Sequence, residues 1–276
     1  MSPRKSRYPL AGKELPLLGA LLALPVLAAA VYLLWLPDVS ALKRKNPSET
    51  AFMRIKELEA RERGRKLPRL MVWTPWEGIS GNLKHAVLVA EDGGFYRHNG
   101  VEWESLRRAA EEDWKRRRFA RGGSTITQQL ARNLYLSPSK NPLRKLKEIL
   151  IARRLEKELG KRRIFELYLN VAEWGKGIYG AGAASRAYFG KPPSDLTPEE
   201  AAALAAALPS PRRYNPVGGT RFMERRKSAI VARMRASGYL PEDADDGALD
   251  ESFEVINSTG IAVSTPAVEA SAGTAP

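Results

Sequence analysis

The chain has 276 residues, with 45 Lys and Arg against 31 Asp and Glu for a net charge of +14, two histidines and no cysteine. No disulfide, thiolate metal site or histidine-rich metal cluster can therefore form, and the core must rest on packing alone. The positive excess calls for an anionic partner, which charge alone leaves open between nucleic acid, an anionic membrane surface and a phosphate-bearing substrate. The length suits one main domain with appendages.

Residues 1–14 form a short basic N-terminus, expected to be cytoplasmic. Residues 15–36, LPLLGALLALPVLAAAVYLLWL, are an uncharged run of 22, about the length a helix needs to cross ~30 Å of hydrocarbon. A cleaved signal peptide is the competing reading, since Ala28, Ala29 and Ala30 are small, but apolar sequence continues to Trp35 and favours a transmembrane anchor. Pro25 would kink such a helix without preventing insertion. Arg4, Lys5, Arg7 and Lys13 before the run, against Lys43, Arg44 and Lys45 after it, favour a cytoplasmic N-terminus only slightly. Residues 37–68 read as a linker containing an exposed helix, with Ser48 as cap, Phe52, Ile55 and Leu58 on one stripe and Gly64 and Pro68 at its end. The body, residues 69–241, shows helical periodicity in nearly every apolar segment, which predicts a mainly α domain. Residues 242–276 carry eight acidic residues and no basic one, a composition that predicts disorder.

Three segments of the body carry chemistry. Leu83 to Glu91 reads as a short helix stopped by Gly93 and Gly94, which puts Glu91 and Asp92 at its C-terminus. There the macrodipole and apolar neighbours disfavour a negative charge, so a carboxyl pKa should rise, as suits a general base. A solvated acidic pair in a turn is the plainer alternative. Next, a glycine turn feeds a helix whose start carries a Thr125-x-x-Gln128 capping box; its exposed N–H groups could bind an anion or merely begin a helix. The loop before it, Lys115 to Arg118 with Phe119 and Arg121, suits anionic headgroups or is a solvated charge run. Third, a helix from about Lys140 to Leu159 places Arg144 one turn from Glu148, with Ile151, Leu155 and Leu159 continuing the stripe beneath. Leu143, Leu146 and Leu150 make a second stripe, so burial on two sides is expected. Arg144 with Glu148 is a functional cluster or a structural ion pair; this segment alone does not choose.

Together these segments resemble the family 51 glycosyltransferases, the peptidoglycan polymerases. The resemblance is carried by Glu91-Asp-Gly-Gly-Phe-Tyr-Arg-His-Asn-Gly100, by Gly122 to Gln129, by Arg144, Lys145 and Glu148, by Arg163 to Asn170 and by Arg186 to Lys191. It implies a mainly α, lysozyme-like helical glycosyltransferase domain with one N-terminal transmembrane helix. It implies that lipid II is polymerised into glycan strands, with inversion and release of undecaprenyl pyrophosphate. Glu91 would be the base and Glu148 a second catalytic carboxylate orienting cations. Lys140, Arg144, Lys147, Arg132, Ser124, Thr125 and Gln128 would bind substrate. Arg132 stands where relatives often have lysine and Lys140 where some have arginine. Phe95 and His98 would shape the loop after the base, and Tyr168, Asn170 and Arg186 to Lys191 would support the cleft. No cofactor is required and no metal ligand set is evident, although some relatives use Mg²⁺ or Mn²⁺ at the pyrophosphate. The implied partners are lipid II, the growing strand, the membrane and proteins of a cell-wall synthesis complex, with no nucleic acid. The implied location is the inner membrane, single-pass, with the catalytic domain on the periplasmic side. Trp73, Trp76, Trp103 and Trp114 are expected at the bilayer interface.

Rival readings make distinct demands. Ser137-Pro-Ser-Lys140 mimics a transpeptidase motif, but no K-T-G follows and too little chain remains after Pro216. Asp243-Ala-Asp245 mimics a metal-binding D-x-D within the acidic tail. A lysozyme-like hydrolase would release sugars from purified cell wall without a lipid-linked donor. An inactive membrane scaffold or nucleic-acid-binding module would show salt-sensitive nucleic-acid binding and no glycan synthesis.

Overall fold

The computed structural model describes residues 14–104, 106–107, 111, 123–139 and 141–240, with side chains from residue 23 onward. The expected acidic tail, the loop Lys115 to Arg121, Trp114 and Lys140 lie outside the described residues. What is described is mainly helical, with one small three-stranded sheet.

Helix α1 spans Glu14–Leu34 with Pro25 inside it. Among the described residues no helix is long and apolar enough to cross a membrane. Helix α2, Ala51–Glu62, begins at Thr50, whose side chain accepts from the Met53 N–H, so the cap falls two residues after Ser48. The segment expected to be an exposed spacer is fastened to the body. Val39, Leu42 and Met53 are buried in the core and Phe52 packs against it, while only Leu58 of the expected stripe is largely exposed. Arg163 reinforces this by donating to the Leu42 carbonyl at 2.8 Å, the Lys45 carbonyl at 3.2 Å and Asn46 Oδ1 at 2.7 Å.

Helix α3, Gly81–Glu91, is capped by Ser80 and buries residues 83–88 consecutively. A helix buried all round needs thin neighbours, and α8, Pro198–Ala207, supplies one. Its sequence PEEAAALAAA lets α3 on one side and α9, Arg221–Ala236, on the other approach closely. A capping box between Thr197 and Glu200 with Pro198 in the first turn fixes where α8 starts. The second layer is α4, Ile126–Tyr135, packed against α2, α5 (Pro142–Glu158) and α6 (Lys161–Val171). The remaining helix, α7, is Ala181–Phe189.

Strand β1, Leu70–Met71, runs parallel to β3, Ile178–Tyr179, and β2, Glu173–Gly175, pairs antiparallel on its other side. Gly177, at φ 77°, makes the turn between β2 and β3, where a Cβ would lie 2.0 Å from the Pro68 carbonyl oxygen. Asn170 staples the approach to α3 onto α6: its Oδ1 accepts from Thr74 N at 2.7 Å and its Nδ2 donates to Thr74 O at 2.8 Å.

Leu143 and Leu146 are 40% and 44% exposed, so α5 buries one stripe, Glu148, Ile151, Ala152 and Leu155, and not two. Trp76 is 5% exposed, edge-on to Phe165 and beneath the Lys84 ammonium, which makes it a core residue that cannot reach a bilayer interface. Trp73 is partly buried against the core, and Trp103 is exposed.

Candidate active site

Glu91 is the last residue of α3, its side chain 11% exposed. Its Oε2 accepts from Gln129 Nε2 at 2.9 Å, and Gln129 Oε1 accepts from the Tyr168 hydroxyl at 3.1 Å. The carboxylate can only accept, so the Gln129 amide points its N–H at Glu91 and its oxygen at the phenol, which donates to it. Burial, and then Glu91 itself, push the Tyr168 pKa well above its usual range, so the donor does not ionise. Burial raises the pKa of Glu91, opposed by the Gln129 hydrogen bond, then by Arg226 and Arg132, while Asp92 adds to the rise.

Asp92, adjacent in sequence, has a different task. Its Oδ2 accepts from Ile126 N at 2.9 Å, the first turn of α4, and its carboxylate receives His98 Nε2 at 3.0 Å. Nδ1 of the same ring accepts from Gly100 N at 3.1 Å, which places the ring hydrogen on Nε2. Thr125 closes the knot by donating to Gly100 O at 2.7 Å while accepting from Gln128 N. Asp92 and His98 thus hold the end of α3 against the start of α4, as expected of a loop-shaping His98.

Across the start of α4 stands a cationic cluster. Glu148 is fully buried and receives Arg144 NH1 and Lys145 Nζ, both at 2.5 Å. Lys145 Nζ also reaches Ser124 Oγ at 2.9 Å and Gln128 Oε1 at 3.1 Å, so all its donors are engaged. The expected capping box is therefore half formed: Thr125 caps the helix, but Gln128 turns away to Lys145. Two cations on one carboxylate leave a net positive charge. Arg144 Nε and Gln128 Nε2 are buried donors without a hydrogen-bond partner among the described residues, an arrangement suited to an anion that supplies acceptors.

The structure brings together Glu91, Arg132, Thr125, Gln128, Ser124, Arg144 and Glu148 of the expected residues. Lys147 is not part of this cluster: its ammonium lies 3.9 Å from the ring centroid of Tyr32 on α1, with its pKa lowered by burial. One residue before Glu148, it is rotated by about 100° around the helix. Gln129, Lys145 and Arg226 complete the site without having been singled out for these contacts. The first two sat within recognised motifs; nothing in the sequence marked Arg226. Among the described residues no group of three or more His, Asp and Glu could hold a metal ion.

Residues 60–235 match the transglycosylase family. The chain is 45% identical over 192 residues to a biosynthetic peptidoglycan transglycosylase of Dechloromonas aromatica, covering 70% of this chain and 83% of that one. It is 47% identical over 200 residues to one of Azoarcus, covering 71% and 86%. With one of Methylobacillus flagellatus the identity is 42% over 224 residues, covering 81% and 97%.

Proposed function

The chain belongs to the transglycosylase family, and from that premise we propose that it is a peptidoglycan glycosyltransferase of cell-wall synthesis that extends glycan strands from lipid II. One observation carries the mechanism: a largely buried carboxylate with a raised pKa, Glu91, held by Gln129, and a net-positive cluster, Arg144 with Lys145 on Glu148, held by Gln128, are tied to one helix start. Glu91 takes the proton of the acceptor sugar hydroxyl as that oxygen bonds to the anomeric carbon of the donor. The bond from that carbon to the polyprenyl pyrophosphate breaks, its electron pair leaves with the phosphate, and the centre inverts. The developing charge falls to Arg144, Lys145 and the unpartnered Gln128 Nε2, which are already fixed in place and need not reorganise. Lys147, turned toward Tyr32, would serve a pyrophosphate only from the rim. A divalent cation, where one assists, would be carried by the pyrophosphate, whose oxygens suit it.

The substrate's lipid tail calls for a bilayer, and α1 supports an anchoring role: it continues an uncharged run of 22 residues, with Leu24, Val26, Leu27, Leu34 and Trp35 exposed. Exposed Leu143 and Leu146 on α5, next to Lys147 and Tyr32, extend the same apolar surface. We read the body as lying on the periplasmic side of the inner membrane, where proteins of a cell-wall synthesis complex could meet it. Purified lipid II in detergent tests the function. The wild-type chain should make polymer and Glu91→Gln almost none, whereas equal polymer from both would remove Glu91 from the role of base.

A further inference from the structure

Arg226 lies outside every motif that carries the resemblance, yet α9 delivers it to Glu91. Met223, Ile230 and Met234 form the buried face of α9, and Arg226, three residues after Met223 and four before Ile230, falls on that face. One guanidinium nitrogen stands 3.7 Å from Glu91 Oε1, with the Arg226 side chain about one-third exposed at 32%. Its Nε is buried and has no hydrogen-bond partner among the described residues. A separation of 3.7 Å is too long for a hydrogen bond, but the Coulomb attraction is still strong in a partly dry site. The two oxygens of Glu91 are therefore unlike: Oε2 is occupied by Gln129, and Oε1 faces a positive charge without accepting a hydrogen from it.

We propose that Arg226 is a positioning residue for the base, holding Glu91 as a carboxylate while leaving Oε1 free to receive the proton of the acceptor hydroxyl. The inference rests on the reading of Glu91 as base. The other groups facing Glu91 are Asp92 at the end of α3, Arg132 and Gln129 on α4, and Tyr168 on α6. Of the two cations, Arg226 acts more strongly on Glu91 than Arg132 does. The base is thus assembled from both layers of the fold, with the C-terminal helix setting its charge.

The test is the pH profile of kcat for polymerisation of lipid II by the full chain in detergent. Activity needs Glu91 ionised, so it falls as pH drops through the pKa of Glu91, and removal of a nearby cation moves that acidic limb upward. Arg226→Gln should move it by about one pH unit while KM for the donor changes by less than about twofold. Arg226→Lys should return most of the shift. Arg225→Gln, which removes an equal charge from the exposed face of the same helix, should leave the limb in place. Arg226→Met, which keeps the bulk of the stem, gives the same reading should the glutamine variant fail to fold. An unmoved limb in a folded Arg226 variant, with Glu91→Gln inactive, overturns this inference alone; full activity of Glu91→Gln overturns the base and its positioning residue together.

Discussion

Gln128 and Gln129 are neighbours on α4, yet the first accepts from Lys145 at 3.1 Å and the second donates to Glu91 at 2.9 Å. About 100° of helical rotation separates them, which is enough for one helix start to serve the base with one amide and the cationic cluster with the next. The two should fail differently. Gln129→Leu should lower kcat by roughly 10- to 100-fold with little change in donor KM, because it releases the base from its orientation. Gln128→Leu should act on donor KM. Steady-state polymerisation kinetics distinguish them, and the same KM rise in both variants would count against the division.

Tyr168→Phe keeps the buried ring and removes the hydroxyl that orients Gln129. We expect a several-fold loss of kcat, on the order of one hydrogen bond's net worth, with the fold intact by circular dichroism. In a Gln129→Leu background the same change should cost almost nothing, since the relay is already broken. Additive losses in the double variant would show that Tyr168 acts by another route.

The cationic cluster predicts a stability result. Lys145→Met leaves Glu148 paired with Arg144 alone and takes the donor from Ser124 and Gln128, and should destabilise the fold by roughly 2 kcal/mol in chemical denaturation. Adding Glu148→Gln leaves Arg144 without its counter-charge and should lower stability further without restoring activity. Recovery of activity would mean that the two residues only support the structure.

Two groups make stability depend on pH with known sign. Burial raises the pKa of Glu91 above its ordinary 4.5, so the folded state holds the proton more tightly than the unfolded one, and stability is lost as pH rises through the folded pKa. At neutral pH the ionised base is therefore a burden, and Glu91→Gln should raise Tm by about 2 °C, the usual trade of stability for activity. His85 has the opposite sign. Buried and stacked 4.0 Å from Tyr239, its pKa is lowered from 6.5 to about 4, so its contribution is complete above 6.5 and fades as pH falls toward 4. His85→Gln should flatten the loss of Tm between those values.

An anchor role for α1 predicts that the full chain stays with membranes after alkaline carbonate extraction, while a variant with two lysines among Leu24, Leu27 and Val31 is released. Retention of that variant would assign the membrane contact to the body.

Much of the site was legible because its signals are local. Gly93 and Gly94 after Glu91 mark the end of α3, and a carboxylate stranded at a helix terminus has a predictable fate. The chain could not say which of Glu91 and Asp92 would be spent on structure, because Asp92 is claimed by Ile126 N and His98, partners 34 and 6 residues away. The half-formed capping box fails for a similar reason: Lys145, 17 residues on, competes for Gln128 and wins with a charge. Arg226 was invisible because its meaning depends on a helix crossing set by the small side chains of α8. Leu143 and Leu146 misled through periodicity alone, which reports an apolar stripe without naming what will cover it.

The docking of residues 39–53 has a mechanical consequence. A loose connection between α1 and the body would act as a leash, letting the catalytic cleft wander over a range of heights above the lipid headgroups. Here Val39, Leu42 and Met53 are buried in the body and Arg163 grips three points of the connecting chain, so the connection is a strut. Were α1 to sit in the bilayer, as proposed, Glu91 would work at one fixed standoff from the leaflet, matched to a substrate whose pyrophosphate stays at the surface, and the lengthening strand would have to depart in one direction.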